Sequence, residues 1–137
     1  MLDRKQKAVE LFNSGYNCAQ SILVAYCDVV GLDKESATKL TTGFGGGVAG
    51  MGKTCGTVNA AIMILSMKLG NGNVEDIENK NRTRFTIRSF VTEFEQYHST
   101  ICLDILTKEE KRYTMHSEKC VTVVELVCDL LNKYLEL

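Results

Sequence analysis

The sequence predicts an all-α, single-domain bundle of about six helices, with a glycine-rich loop leading into a central buried helix. Three observations carry this. There is no proline in the 137 residues, so nothing of that kind interrupts a helix from within. Strand-like alternation is nearly absent. Apolar residues instead recur at helical spacing along most of the chain. With 45% hydrophobic residues, a chain of this length has enough apolar surface for one real core. No repeat, linker or low-complexity tail divides residues 1–137.

The first helix is predicted from about Asp3 to Asn13, with Ala8, Val9, Leu11 and Phe12 facing inward and Gly15 ending it. Asn17 is the expected N-cap of a second helix, which continues through Ile22, Leu23, Tyr26 and Val30 until Gly31. Asp33 caps a short third helix, Lys34 to Thr42. The run GFGGGVAGMGKTCG, from Gly43 to Gly56, then delivers the chain to a fourth helix, roughly Thr54 to Leu69. Val58, Ile62, Met63, Ile64, Leu65, Met67 and Leu69 make that helix apolar on nearly every side, so it is the predicted central one.

Asn71, Gly72 and Asn73 make a turn, and Asn73 is expected to cap a long fifth helix reaching about Tyr97. Its inward face reads Ile77, Phe85, Ile87, Phe90, Val91, Phe94 and Tyr97. A short turn, Thr100 to Leu106, holds Cys102, and a charged connector, Lys108 to Lys119, follows. A sixth helix is predicted over Glu118 to Leu135. Its polar face carries Glu118, Thr122, Glu125, Asp129, Asn132, Lys133 and Glu136. Its core face carries Cys120, Val123, Val124, Val127, Leu131, Tyr134 and Leu135.

The formal net charge of -1 offers no electrostatic footprint for nucleic acid or for an anionic membrane. The N-terminal MLDRKQKAVELF lacks the apolar segment of a secretory signal, and no apolar run is long enough to span a bilayer. The expected compartment is the cytoplasm, where thiols stay reduced. Six cysteines in such a chain argue against a disulfide framework and for reactive or metal-binding thiolates. No C-x-x-C is present, which removes support for a thioredoxin-type site and for a zinc ribbon.

Four of the six cysteines stand near predicted helix starts, where unpaired N–H groups and a partial positive charge favour the thiolate. Cys18 and Cys27, nine residues apart on one predicted helix, point to opposite faces at about 100° per residue. Cys120 and Cys128 share a side of their helix but lie about 12 Å apart along its axis. One site therefore takes at most one cysteine from each pair, together with Cys55 and Cys102. Cys18 and Cys120 lie in or near a first helical turn, whereas Cys27 and Cys128 lie deep in their helices, so the candidate set is Cys18, Cys55, Cys102 and Cys120. The competing reading is that all six only pack, since free cysteine is among the most buried residue types.

The glycine run admits three readings. Gly47 to Thr54 fits the phosphate-loop pattern G-x-x-x-x-G-K-[ST], but a helix end and coil precede it where a strand is required, so no nucleotide is expected. Seven glycines in fourteen residues permit close backbone approach between helices. The same glycines, Gly45, Gly46, Gly47, Gly52 and Gly56 in particular, also expose N–H groups able to bond a thiolate or the sulfides of a cofactor.

The segments FNSGYNCAQSIL, TTGFGGGVAGMGKTCGTVNAAIMIL, ICLDIL and KCVTVVELVCDLL resemble the C_GCAxxG_C_C family of redox-active proteins, over nearly the whole chain. The family's four motif cysteines correspond to Cys18, Cys55, Cys102 and Cys120; Cys27 and Cys128 fall outside the pattern. The resemblance implies a helical domain whose cysteines carry redox chemistry. A related domain occurs in split-Soret cytochromes, where an iron–sulfur centre accompanies haem. This chain lacks C-x-x-C-H, so covalent haem is not expected. It reads CGTVNA where relatives often carry alanine and glycine at the positions of Thr57 and Ala60.

The resulting expectation is a redox-active protein, possessing no defined reaction, in which Cys18, Cys55, Cys102 and Cys120 hold an iron–sulfur cluster for electron transfer with a redox partner protein. Cys18 and Cys55 are its redox-active candidates. Zinc at the same ligands is a variant that removes the redox function. Metal-free thiol–disulfide chemistry and a helical binding module with structural cysteines are the alternatives, and abundant apolar helix faces make a homodimer plausible. His98 and His116 read as surface residues of connectors, Tyr16 as a packing tyrosine and Lys80 to Arg88 as a solvated face. Lys53 reads either as a charge acting on Cys55 or as a solvated side chain. Met51, Met63, Met67 and Met115 read as core or gap-filling residues.

Overall fold

Side-chain caps fix where the helices begin in the computed structural model, which describes residues 3–106 and 117–137. The Asp3 carboxylate accepts from the Gln6 N–H at 3.0 Å and starts α1, Arg4–Asn13. Asn17 and Gln20 form a reciprocal capping box, at 2.8 and 2.9 Å, that starts α2, Cys18–Ala25. Asp33 caps α3, Lys34–Leu40, and a 3-10 turn covers Thr42–Phe44. The remaining helices are α4, Gly56–Leu69; α5, Ile77–Glu95; α6, Cys102–Ile105; and α7, Glu118–Leu135.

The fold is all-α, and α2 is its hub, touching α1, α3, α4 and α7, while α4 also meets α5 and α7. Ile22, Leu23, Ile64, Leu65, Phe90, Phe94, Val124 and Leu131 fill the space between them, fully buried. Each such side chain contributes about 1.5–3 kcal/mol by leaving water. Tyr26 is buried too, and its hydroxyl donates to Asn132 Oδ1 at 2.7 Å and lies 3.1 Å from the Cys128 carbonyl oxygen. No helix among the described residues is long and apolar enough to cross a membrane.

Several boundaries differ from expectation. α2 stops at Ala25, not near Val30, because the Tyr26, Cys27 and Val29 N–H groups bond three residues back rather than four. Cys27 therefore lies beyond the helix. α3 ends two residues early, and α4 starts at Gly56 rather than Thr54. Asp76, not Asn73, caps α5, and the Asn73 side chain instead closes a turn by accepting from the Glu75 N–H. α5 ends at Glu95, short of Tyr97. Part of the Thr100 to Leu106 turn is a short helix, α6, so the described residues hold seven α-helices.

The predicted inward face of α5 is only partly inward. Phe90 and Phe94 are buried, but Ile77 is 58% exposed and Phe85 71%, and Tyr97 is also exposed. The first turns of α5 run past the end of the core, so apolar spacing there meets solvent. Met51 and Met67 are exposed rather than core, Met63 is half-buried, and Met115 and His116 lie outside the described residues.

Candidate functional site

Each of the four motif cysteines sits at a helix start. Cys18 is the first residue of α2, Cys55 the N-cap of α4, Cys102 the first residue of α6 and Cys120 the third of α7. The cap that starts α2 also anchors the glycine loop, since Asn17 Nδ2 donates to the carbonyls of Thr41 and Thr42 at 3.3 and 3.2 Å. The end of that loop is tied to the segment before α6. The Cys55 N–H donates to the Thr100 carbonyl at 2.7 Å, and the Cys102 N–H donates to the Lys53 carbonyl at 2.7 Å. These bonds form an isolated antiparallel bridge, Thr54 to Ile101, that holds two cysteine segments side by side.

Between Asn17 and Cys55 the chain makes a left-handed turn. Five consecutive residues, Gly46 to Gly50, have φ between 50 and 74°, and Val48 and Ala49 are among them. For a non-glycine residue this hand costs roughly 1–2 kcal/mol. A set of backbone bonds offsets it: Ala49 N–H to Gly43, Gly50 to Gly45, Gly52 to Gly46 and Lys53 to Gly47, at 2.7 to 3.0 Å. Glycine is required by close approach to cysteines at Gly47 and Gly56. A Cβ on Gly47 would stand 2.5 Å from Cys102 Cβ, and one on Gly56 would stand 2.7 Å from Cys18 Sγ. The loop and the start of α4 are thus stripped of side chains where cysteines press against them.

All four cysteines wall one narrow cavity, completed by Gly46, Thr57, Ile105, Leu106 and Val123, with about 20 Å³ of room inside. Cys55 and Cys102 are each only 7% exposed. Burial pushes the Cys18 thiol up to about 12, the neighbouring Cys55, Cys120 and Cys102 add to the rise, and a backbone hydrogen bond from Gly46 opposes it. Cys55 is also raised by burial, against hydrogen bonds from the Thr57 hydroxyl and backbone. Desolvation therefore outweighs the thiolate-favouring effect expected of helix starts. All six cysteines are thiols.

The other candidate residues fall elsewhere. Gly45 is buried against Asn17, and the Gly52 carbonyl accepts from the Leu103 N–H at 3.3 Å, so both support the walls without lining them. Cys27 is half-buried past the end of α2, and Cys128 is buried within α7 beside Tyr26. Lys53 is exposed on the loop, as a solvated side chain. Tyr16 is half-buried, with Lys34 Nζ 5.7 Å from its ring centroid, and the His98 ring rests 6.1 Å from that of Phe94. A helix and a 3-10 turn precede Gly47 to Thr54, not the strand a phosphate loop needs.

Sequence reasoning missed Thr57, whose hydroxyl lies 3.0 Å from Cys55 Sγ. Its place in the first turn of α4, two residues after a cysteine N-cap, is the signal that could have found it. The apolar wall of Ile105, Leu106 and Val123 was missed as a wall, although Val123 was read as part of the core face of its helix.

The residues present fit a group held by thiolates. Four sulfur donors face one cavity, the lining includes no charged side chain, and the glycine surfaces leave a cradle that a Cβ would fill. Among the described residues, no three His, Cys, Asp or Glu side chains are grouped as for a single metal ion. Thiolates around one tetrahedral ion lie within about 4 Å of each other, from metal–sulfur bonds of about 2.3 Å.

A family profile described as "Putative redox-active protein (C_GCAxxG_C_C)" matches residues 16–134. An uncharacterized protein of Archaeoglobus fulgidus is 33% identical over 64 residues, which cover 46% of this chain and 42% of that protein. The chain thus matches less than half the length of that curated relative. No solved structure matches.

Proposed function

This chain belongs to the C_GCAxxG_C_C family of redox-active proteins, and from that premise we propose that Cys18, Cys55, Cys102 and Cys120 hold an iron–sulfur cluster used for electron transfer. One observation carries the reading: cysteines from four separate segments wall a single cavity. Four cysteine thiolates are the common ligand set of two-iron and four-iron clusters, which, when bound, take up or release one electron at a time. The chain's own contribution is to bury the ligands, keep charged side chains from the lining and aim hydrogen bonds at sulfur from Gly46 and Thr57. Such bonds and such burial set the potential of a thiolate-held centre.

Room for about one water between the thiols is less than a polynuclear cluster needs. Loading a cluster would have to part α6 from the glycine loop, which the Cys102 N–H to Lys53 and Leu103 N–H to Gly52 bonds hold together. Ligation also takes the protons off the buried thiols, so loading strengthens as pH rises. A metal-free dithiol would need a thiolate of lowered pKa, and burial shifts Cys18 and Cys55 the other way. That favours the cluster over thiol–disulfide exchange.

The test is anaerobic reconstitution with iron and sulfide, followed by metal and sulfide analysis and an absorption spectrum. A brown protein with a visible charge-transfer band that bleaches on reduction is expected. Colourless, iron-free protein after reconstitution overturns the proposal, and zinc as the sole bound metal would leave a structural site.

A further inference from the structure

A second pocket shares two walls with the four-cysteine cavity. It is open to solvent, measures about 590 Å³, and its lining includes Cys18 and Gly46, the two residues it has in common with the cavity. That volume lies within the range of small-molecule sites, about 300–1,000 Å³. The room between the cysteines does not.

The residues around this pocket are uncharged without exception. Every lining residue comes from positions 11–27 or 40–52, and neither stretch contains an Asp, Glu, Lys, Arg or His, in a chain of which 24% is charged. Lys34 approaches the Tyr16 ring at 5.7 Å but does not line the pocket. The amide and threonine side chains that do line it, Asn17, Gln20 and Thr42, are already engaged. Asn17 caps α2 and holds the Thr41 and Thr42 carbonyls, while Gln20 Nε2 donates to the Thr38 carbonyl at 3.1 Å. The Thr42 hydroxyl donates to the Thr38 carbonyl at 3.0 Å. The rest of the lining includes the half-buried Tyr16 ring, the buried edge of Phe12 and the side-chain-free backbone of Gly15, Gly45, Gly46 and Gly50. Charged or heavily hydroxylated ligands would lose their hydration there with little in return. A planar, uncharged ring gives up much less and can lie against an aromatic face, with its few polar atoms toward the open mouth.

We infer that this pocket binds a small, uncharged, planar ring compound of the quinone class, seated against the outer side of Cys18 and Gly46. The binding stands on the pocket alone. Its use, exchange of electrons with a centre held by Cys18, rests on the function proposed above.

Equilibrium dialysis of 2,3-dimethyl-1,4-naphthoquinone against the purified protein tests it, with iron assayed on the same samples. That probe has no open ring position for a thiol to attack. Saturable binding is expected, unchanged between low and high salt, and a naphthoquinone sulfonate should bind at least about tenfold more weakly, as burial of an unpaired charge requires. Tyr16→Ala and the pocket-filling Ala49→Leu should each weaken binding by about tenfold or more, with Tyr16→Phe restoring it and the exposed Thr92→Leu on α5, outside the lining, leaving it unchanged. Absence of saturable binding, equal binding of the sulfonate, or full binding by both pocket variants overturns the inference. Iron-free samples that still bind the quinone leave the pocket standing and count only against the cluster.

Discussion

Two cysteines in this molecule, the half-buried Cys18 and the buried Cys128, are raised alike by desolvation and surrounded differently. Burial lifts Cys18 at the start of α2 and Cys128 in the body of α7 to the same level, about 12. Around Cys18, however, the other contributors are three further cysteines and a backbone N–H from the glycine loop. Around Cys128 they are the Tyr26 hydroxyl and the charged Asp129, Lys5 and Asp3, with no second sulfur. Burial alone therefore does not mark a functional thiol. What sets Cys18 apart is the company of other sulfurs at helix starts, where N–H groups are also left unbonded by the helix itself, as they are not in its body.

The largest expected contrast is in metal loading. Cys55→Ala or Cys102→Ala should cut the iron retained after anaerobic reconstitution by at least about tenfold, while Cys128→Ala retains it in full. Loss of iron in Cys128→Ala would erase the distinction. Next comes Gly56→Ala, whose new methyl would stand 2.7 Å from both Cys18 Sγ and the Phe44 carbonyl oxygen. It should lower stability by about 3 kcal/mol in urea unfolding. The same change at an open glycine such as Gly43 meets no atom within 4 Å.

Smaller effects belong to the helical body. Cys128→Ala should cost about 1–2 kcal/mol in thermal unfolding through the void it leaves, with no spectral change. Smallest is the ion pair between Arg4 and Asp28, 2.6 Å apart, with the Asp28 side chain 61% exposed. The Arg4 guanidinium holds that carboxyl below its usual range. Its contribution is complete above the ordinary aspartate pKa of about 3.9 and fades as pH falls through the lower folded value. Asp28→Asn should thus cost about 0.5 kcal/mol at pH 7 and nothing once acid has protonated the wild type, as unfolding series at several pH values would read out.

The same contrast governs what the sequence made legible. α7 was readable to the residue, since Glu118 to Leu135 keeps one polar and one apolar stripe throughout. The caps Asn17 and Asp33 were readable because each is a strong capping residue type shortly after the glycine expected to end the preceding helix. α2 was overrun because no glycine or proline appears before Gly31, and a switch to three-residue bonding leaves apolar spacing intact. Ile77 and Phe85 misled because periodicity shows which residues share a face, not whether a neighbour covers it. At the site, the helix starts at Cys18, Cys55 and Cys120 could be read, and with them the choice of Cys18 over Cys27, whereas the short α6 at Cys102 was read as a turn. The left-handed turn at Gly46 to Gly50 could not, since Val48 and Ala49 argue against that hand. Nor could the bridge between Thr54 and Ile101, which pairs backbone across distant positions and writes nothing into side-chain pattern.

α7 carries the last of the four cysteines at its start and a large part of the core along its length. On the ribosome, the first three sulfurs emerge well before it. Until α7 is released and docks, Cys18 and Cys55 face an unfinished wall, and the bundle that would hold them still lacks Val123, Val124, Val127 and Leu131. Docking of α7 therefore completes the thiol cavity and closes the hydrophobic interior in a single step.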